Sequence, residues 1–157
     1  MPKPVKAKPD QYHSVTPYLT VKGGAAAIDF YKKAFGATEM FRMAQPDGRI
    51  GHAEIKIGDS CIMLSDEFTE MNVVSPSTLG NTSVGLLIYV EDVDKTFANA
   101  ISLGATLNRP IVDQFYGDRT ASVRDSCGNN WYIATQKEIV SKEEVERRIA
   151  AMGYSTE

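Results

Sequence analysis

The order of apolar and polar positions along the chain is the same in two consecutive segments, Thr16 to Asp66 and Ser83 to Gln136. Each segment begins with a short apolar run typical of a strand, TPYLTV in the first and SVGLLIYV in the second. A stretch with helical spacing follows in both, GGAAAIDFYKKAF and EDVDKTFANAISL, and then come strand-like runs broken by turn residues. Each segment is therefore predicted to fold as a β-α-β-β-β module. Because one such module leaves an apolar face uncovered, the repetition predicts a paired architecture.

Both predicted helices have recognisable ends. The first is expected over residues 25–35, since Gly36 can take the left-handed conformation that often follows a helix. The second is expected to begin after Asp92, whose side chain suits an N-cap, and to stop at Gly104. A third helix is predicted after the repeats, because residues 141–144 have the sequence SKEE of a capping box.

The two modules are predicted to form a single domain of residues 15–136, with a shorter segment at each end. The segment between the modules contains Ser, Pro, Thr and Gly without periodicity, which is typical of a linker. The predicted boundaries are 1–14 for a flexible arm rich in Lys and Pro, 15–73 for module one, 74–82 for the linker, 83–136 for module two and 137–157 for a C-terminal helix and tail.

The composition argues against nucleic acid and membrane as partners. The chain has 157 residues, is 43% hydrophobic and carries a net charge of −3, so it lacks the broad basic surface that nucleic-acid binding needs. No apolar run approaches the ~20 residues that cross a bilayer, and the N-terminus lacks the apolar region of a secretory signal. A cytoplasmic protein without a membrane span is expected. Cys61 and Cys127 are expected to be reduced thiols in that compartment.

A turn at Gly58-Asp59 assigns the faces of the strands on either side of it. If these two residues form the whole turn, Ile57 pairs with Ser60 and, further along, Glu54 lies opposite Met63. A three-residue turn would flip one strand relative to the other. The two-residue turn puts His52, Glu54 and Lys56 on one face with Cys61, Met63 and Ser65, and puts Ala53, Ile55, Ile57, Ile62 and Leu64 on the other, apolar face.

The doubled module and several segments resemble the vicinal oxygen chelate superfamily. The segments are IDFYKKAFGA, GRIGHAEIKIGDSCIMLSDE, YVEDVDKTFANAISLGA, FYGDR and DSCGNNWYIAT. They are similar to the glyoxalase/bleomycin-resistance group and most closely to its PhnB-like branch of small bacterial proteins, over roughly residues 15 to 152. The resemblance implies an α+β fold with two tandem modules whose curved sheets surround a cavity, a small-molecule ligand and a homodimer. The fold does not fix the reaction, because it serves isomerases, dioxygenases, thiol transferases and drug-binding proteins.

The resemblance also identifies the four positions at which metal-dependent members place their ligands. Carried over position by position, they fall at Thr16 and Met63 in module one and at Gly85 and Tyr132 in module two, where those members have His or Gln, Glu, His and Glu. Divalent metals of this kind need carboxylate, imidazole or thiolate donors. The usual metal site is therefore expected to be absent, and no cofactor is expected.

A displaced site at His52 and Glu54 is the alternative, with a divalent metal as its cofactor. The two residues are two apart on one predicted strand, so their side chains share a face. Glu54 would be a general base or metal ligand and His52 its partner, in a lyase, isomerase or dioxygenase. The competing interpretation makes both residues polar groups on a solvent-accessible concave face, without chemistry.

Further side chains are candidates for ligand binding. Arg119 is two residues from Ala121, on the face expected to carry Tyr132, where it could bind an anionic group; a structural ion pair with a carboxylate is the alternative. Tyr18, Tyr89 and Tyr132 could stack against a flat ligand, although aromatic residues in strands are more often core.

The sequence thus favours a binding protein over an enzyme, and an interaction module whose ligand is another protein chain is a third alternative. Its cavity would hold a small aromatic or amphipathic molecule, since the candidate positions combine rings with a few polar groups. The proposed ligand contacts are Tyr18, Met63, Tyr89 and Tyr132, with Arg119, His52 and Glu54 as polar anchors.

Overall fold

The computed structural model of the chain describes Met1 and residues 4–156. The chain divides into two compact units, unit one over residues 1–81 and unit two over residues 82–157. Each unit contains one four-stranded mixed sheet together with helices, so the predicted α+β fold of two β-α-β-β-β modules is confirmed. The assignment of both modules to one domain stays a prediction. None of the described helices is long and apolar enough to cross a membrane.

Unit one has its strands in the order β1-β4-β3-β2, with β1 parallel to β4 and the other neighbours antiparallel. Its elements are β1 (Tyr18–Val21), α1 (Gly24–Phe35), β2 (Thr38–Ala44), β3 (Ile50–Ile57), β4 (Ser60–Asp66), a 3-10 turn (Thr69–Met71) and α2 (Pro76–Leu79).

Helix α1 covers the apolar face of the unit-one sheet. It ends at Gly36, which has the predicted left-handed conformation (φ 67°) and whose N–H donates to the carbonyl of Lys32. The buried face of α1 consists of Gly24, Ala27, Ile28, Tyr31, Ala34 and Phe35, and the sheet residues Ala53, Ile55 and Leu64 on the face that it covers are fully buried. The other face of the sheet is left open within this unit.

The hairpin between β3 and β4 has the predicted two-residue turn. Ile57 pairs with Ser60, and Glu54 pairs with Met63. The predicted division into an apolar and a mixed face is therefore confirmed, since pairing partners project from the same side of a sheet.

The predicted linker contains more structure than its sequence suggested. Pro76 begins the short helix α2, where a missing N–H costs nothing, and Gly80 ends it with a φ of 87°. The hydroxyl and the N–H of Ser75 both donate to the Glu67 carboxylate, at 2.9 and 3.0 Å. These hydrogen bonds lower the pKa of Glu67 below its usual range, chiefly through the Ser75 N–H.

Unit two repeats the topology, with its strands in the order β5-β8-β7-β6. Asp92 is the N-cap of the first helix in this unit, as predicted. Its Oδ1 accepts a hydrogen bond from the N–H of Lys95 at 3.0 Å. Trp131, Ile133 and Val123 are fully buried on the helix-covered face. The elements are β5 (Gly85–Tyr89), α3 (Val93–Ser102), β6 (Thr106–Asp113), β7 (Asp118–Arg124), β8 (Asn130–Gln136) and α4 (Lys142–Ala151).

The start of α4 confirms the capping box, since the Ser141 hydroxyl accepts a hydrogen bond from the N–H of Glu144 at 3.2 Å. The Glu144 carboxylate forms ion pairs with Arg147 and Arg148, which lower its pKa to about 2.

One buried carboxylate joins three parts of unit one. Asp66, at the end of β4, accepts hydrogen bonds from the N–H groups of Gly23 and Gly24 at 2.8 Å and of Ile50 at 2.7 Å. It therefore caps α1 and fixes the first residue of β3. A Cβ built on Gly24 would lie 2.8 Å from both Asp66 Oδ2 and Ile50 Cγ1, so only glycine fits there.

We expect Asp66→Ala to lower the free energy of unfolding by about 3 kcal/mol, because two buried N–H groups and one partly buried N–H group lose a charged acceptor. The exposed Asp29, which pairs with Lys33 one helical turn away, provides a matched control whose loss should cost about 0.5 kcal/mol or less. Denaturant unfolding of both variants measures the difference. Equal effects would show that Asp66 does not hold the unit together.

Candidate functional site

A row of side chains crosses all four strands of unit one on the open face of the sheet. Tyr18 of β1 pairs with Met63 of β4, Met63 with Glu54 of β3, and Glu54 with Phe41 of β2. We call these four residues the unit-one row. Tyr18 and Phe41 are 54% and 51% exposed, so apolar surface at both ends of the row is accessible to a ligand.

His52 stands beside the row and joins two of its members. Tyr18 Oη lies 2.8 Å from His52 Nδ1, and His52 Nε2 lies 3.3 Å from Glu54 Oε1. A carboxylate only accepts hydrogen bonds, so the consistent assignment has Nε2–H donating to Glu54 and Nδ1 accepting the Tyr18 hydroxyl. The structure thus brings His52 and Glu54 together, as their shared face predicted, and adds Tyr18 to them.

The chain of hydrogen bonds continues into the N-terminal arm. Tyr12 donates its hydroxyl to Glu54 Oε1 at 2.7 Å. This hydrogen bond is the main reason why the pKa of Tyr12 is raised, because it stabilises the protonated phenol. The side chains of His52 and Glu54 are only 23% and 17% exposed. We call Tyr18, His52, Glu54 and Tyr12 the polar chain.

Cys61 shares this face, next to Lys56 in the strand pairing. Its pKa is raised, first by burial and then by the negative charge of Glu54. A raised pKa disfavours the thiolate, which is the nucleophilic form of cysteine.

In unit one, the metal positions that the resemblance implies provide no imidazole, carboxylate or thiolate. The Thr16 hydroxyl donates to the carbonyl of His13 at 3.1 Å, and Met63 offers only a thioether. His52 has both ring nitrogens engaged, with Tyr18 and with Glu54. Within the part of the chain that the structure describes, no three His, Cys, Asp or Glu side chains form a group that could hold a metal ion.

The two positions in unit two do not fit a metal either. Gly85 has no side chain, and the Tyr132 ring lies against it so closely that a Cβ built on Gly85 would overlap the ring. A phenol packed over a glycine offers neither the imidazole nor the carboxylate of the metal-dependent pattern. The residues at all four positions therefore do not suit a divalent metal.

Unit two has its own open face, which carries two of the predicted ligand contacts. Tyr132 pairs with Leu87 and Ser122, while Tyr89 donates its hydroxyl to Asp118 at 2.8 Å. That hydrogen bond to a carboxylate raises the pKa of Tyr89. A cavity of about 370 Å³ lies on this unit, lined by Arg109, Pro110, Val112, Gln114, Thr120, Ala121 and Tyr132.

The predicted face of Arg119 is wrong. Arg119 pairs with Thr135, whereas Tyr132 pairs with Ser122, so their side chains project from opposite sides of the sheet. Arg119 instead holds the Asp94 carboxylate of α3 with two hydrogen bonds, at 2.8 and 2.9 Å, and contacts Asp113 at 3.0 Å. The pKa of Asp94 is lowered chiefly by this guanidinium. The geometry matches the alternative of a structural ion pair.

Two residues of the site escaped prediction. Phe41 belongs to the unit-one row, but β2 carries irregularities between Glu39 and Phe41 and between Met43 and Ala44. Counting residues back along β2 from the turn that joins it to β3 therefore places Phe41 on the wrong face. Tyr12 lies in an arm whose sequence predicts no element. Its only signal is that it is an aromatic residue in an otherwise polar segment.

Two β-α-β-β-β units, each with one helix-covered face and one open face, define the fold class of this chain. The family model of the Glyoxalase/Bleomycin resistance protein/Dioxygenase superfamily matches residues 11–133. The chain belongs to this superfamily. The superfamily expected from the sequence is therefore confirmed, and the PhnB-like branch stays a prediction.

Similar proteins include an uncharacterized protein of Mycobacterium bovis, Mb0911c, which is 36% identical over 143 residues, 89% of this chain and 94% of that protein. The crystal structure of TioX from Micromonospora sp. ML1 is 25% identical, covers 82% of this chain and 100% of that chain, and has a TM-score of 0.60. A fosfomycin resistance protein, FosX from Listeria monocytogenes, is 16% identical over 85% of this chain and 94% of that chain, with a TM-score of 0.60. That last likeness shows the fold alone.

We expect Arg119→Gln to lower stability at pH 7 and to have a smaller effect at pH 3. The Arg119 guanidinium depresses the pKa of Asp94 in the folded state, so its stabilisation is present above the ordinary aspartate value of ~3.9 and is lost as the pH falls through the folded value. Urea unfolding at both pH values measures this, with the exposed Lys95→Gln as control. A stability loss independent of pH would contradict the ion-pair assignment.

Proposed function

We propose that the protein binds a small, partly aromatic or amphipathic molecule on the open face of unit one, without a bound metal. The observation that carries this proposal is the unit-one row, in which exposed rings at Tyr18 and Phe41 flank the half-buried Met63 and Glu54. Binding sites for small molecules combine an apolar surface with a few placed polar groups, and this face has that composition.

The ring geometry favours a flat ligand. The His52 ring is 5.5 Å from the Tyr18 ring and 6.1 Å from the Phe41 ring, and both pairs are tilted by 46° and 47° respectively. These three rings lie on one side of the sheet, and another aromatic group can pack against their edges or their planes. Met63 adds a flexible thioether, which adapts to ligands of different shape.

The open face of unit two supports the same class of ligand. Tyr132 lines the cavity of about 370 Å³, and Tyr89 projects from the same side of the sheet. We exclude Arg119 from the proposed contacts, because its guanidinium is engaged by Asp94 and Asp113 on the helix-covered side. The homodimer and the cytoplasmic location expected from the sequence stay predictions.

A second candidate function is acid–base catalysis by the polar chain. His52 lies between a hydroxyl and a carboxylate, an arrangement in which Glu54 orients the imidazole and Nδ1 can take the proton of Tyr18. The structure of a FosX variant from Listeria monocytogenes contains Mn(II) and 1S,2S-dihydroxypropylphosphonic acid, so at least one protein of the same fold binds a metal. One version of this alternative is a lyase, isomerase or dioxygenase with a metal displaced to His52 and Glu54. A metal-binding assay tests that version.

We expect protein purified without added metal to contain no stoichiometric divalent metal, and added Zn²⁺ or Ni²⁺ to bind without saturation at one equivalent. The reason is the donor set, since Thr16, Met63, Gly85 and Tyr132 replace imidazole and carboxylate ligands. Elemental analysis and calorimetric titration make the measurement. Saturable binding that disappears in Glu54→Gln would favour the displaced metal site and contradict the proposal.

We expect indole, a flat amphipathic probe, to bind saturably and to shift the methyl resonance of Met63. Phe41→Ala should weaken this binding about three- to tenfold, because one ring contact is lost. The exposed Leu79→Ala in α2 removes similar apolar surface away from the sheet face and should leave the affinity unchanged. Nuclear magnetic resonance of the methionine methyl groups reports both. Indole binding that leaves the Met63 methyl unmoved would place the site elsewhere.

A further inference from the structure

Tyr12 is set apart from the rest of the N-terminal arm by its burial. Among the described residues before Thr16, it is the only one that is not exposed. Its side chain reaches Glu54, 42 positions along the chain, and donates its hydroxyl to Oε1 at 2.7 Å. Its backbone carbonyl accepts from Lys8 Nζ at 2.6 Å, and its N–H donates to the carbonyl of Pro9 at 3.4 Å. A local turn of the arm thus presents the phenol to the sheet.

The group that Tyr12 brings to the open face is a phenol. It is flat, mostly apolar and carries one hydroxyl, which is the kind of molecule proposed to bind on this face. The hydroxyl meets a carboxylate, which makes the hydrogen bond charge-assisted and stronger than one between neutral groups. The same Oε1 atom accepts the His52 Nε2–H, so the acceptor is held in place by the protein before a phenol arrives.

We infer that Glu54 and the side chains around it form a phenol-binding subsite, and that Tyr12 is its intramolecular occupant. This inference rests on the proposed function and names its ligand class: a small phenol, whose hydroxyl donates to Glu54 and whose ring packs along the unit-one row. A free phenol must displace Tyr12 to bind. The arm therefore acts as a competitor built into the chain.

The contacts of the arm make this displacement feasible. The other described residues of the arm are exposed, and the ion pair between Lys6 and Asp10 lies within the arm itself. Releasing Tyr12 therefore gives up one hydrogen bond and the partial burial of one ring. A phenol that binds in its place forms the same hydrogen bond, so the exchange conserves the pairing of the half-buried carboxylate.

The test compares p-cresol with 4-methylanisole, whose hydroxyl is capped by a methyl group, on the full chain. We expect Tyr12→Ala to bind p-cresol about tenfold more tightly than the original chain, because the competitor is gone. Replacing Glu54 by Gln in the Tyr12→Ala background should remove the preference for p-cresol over 4-methylanisole. His13→Ala, a neighbouring exposed arm residue, should bind p-cresol like the original chain. Calorimetric titration measures all four proteins.

A second readout follows Tyr12 itself. In the original chain with labelled tyrosine, saturation with p-cresol should shift the Tyr12 ring resonances towards those of an unstructured tyrosine, and 4-methylanisole should do so less. Equal p-cresol affinity in the original chain and Tyr12→Ala would overturn the inference, as would weaker binding in Tyr12→Ala. If indole binds at Met63 but p-cresol shows neither effect, the phenol subsite is wrong and the proposed function stands. If indole binds to neither protein, the proposed function itself fails.

Discussion

Three backbone N–H groups converge on the buried carboxylate of Asp66, and the geometry of unit one follows from this convergence. Asp66 pairs with Val21 at the end of β1, so the chain must turn at once for the N–H groups of Gly23 and Gly24 to reach the carboxylate. The third N–H belongs to Ile50, which sets where β3 begins. His52 and Glu54 follow within four residues on the same strand, so their positions on the open face depend on this carboxylate.

The two units share a backbone plan but differ in the chemistry of their open faces. In unit one Met63 stands between Tyr18 and Glu54, and in unit two Tyr132 stands between Leu87 and Ser122. A carboxylate in the first unit thus corresponds to a small hydroxyl in the second. The polar chain through His52 is built on the carboxylate, which is why the binding proposal is strongest for unit one.

Local signals were enough to predict the modules, the helix ends and the face of β3 and β4. The two-residue turn at Gly58-Asp59 fixes that register, because Ile57 and Ser60 then pair directly and side chains alternate between the two faces along each strand. The face of Tyr132 could not be obtained in this way. The connection at 125–129 is longer, and its length sets which residues of β7 oppose Tyr132. Arg119 was consequently placed on the wrong side.

The remaining residues of the site depend on contacts between distant parts of the chain. Phe41 reaches the row only after the irregularities of β2, which no sequence pattern marks. Tyr12 reaches Glu54 by a tertiary hydrogen bond, and nothing in the local sequence of the arm specifies its partner. Regular periodicity therefore predicts the sheet, whereas the polar chain depends on pairings that periodicity does not encode.

The contact between Gly85 and Tyr132 bears on how such a chain could change during evolution. The ring of Tyr132 fills the space that any side chain at position 85 would need, beginning with its Cβ. A histidine introduced at position 85 would therefore meet the ring first, and a carboxylate introduced at position 132 would face a glycine. The side chain at position 85 has room only after the Tyr132 ring has been replaced. In this unit, introducing a metal site at these two positions therefore begins with the loss of the Tyr132 ring.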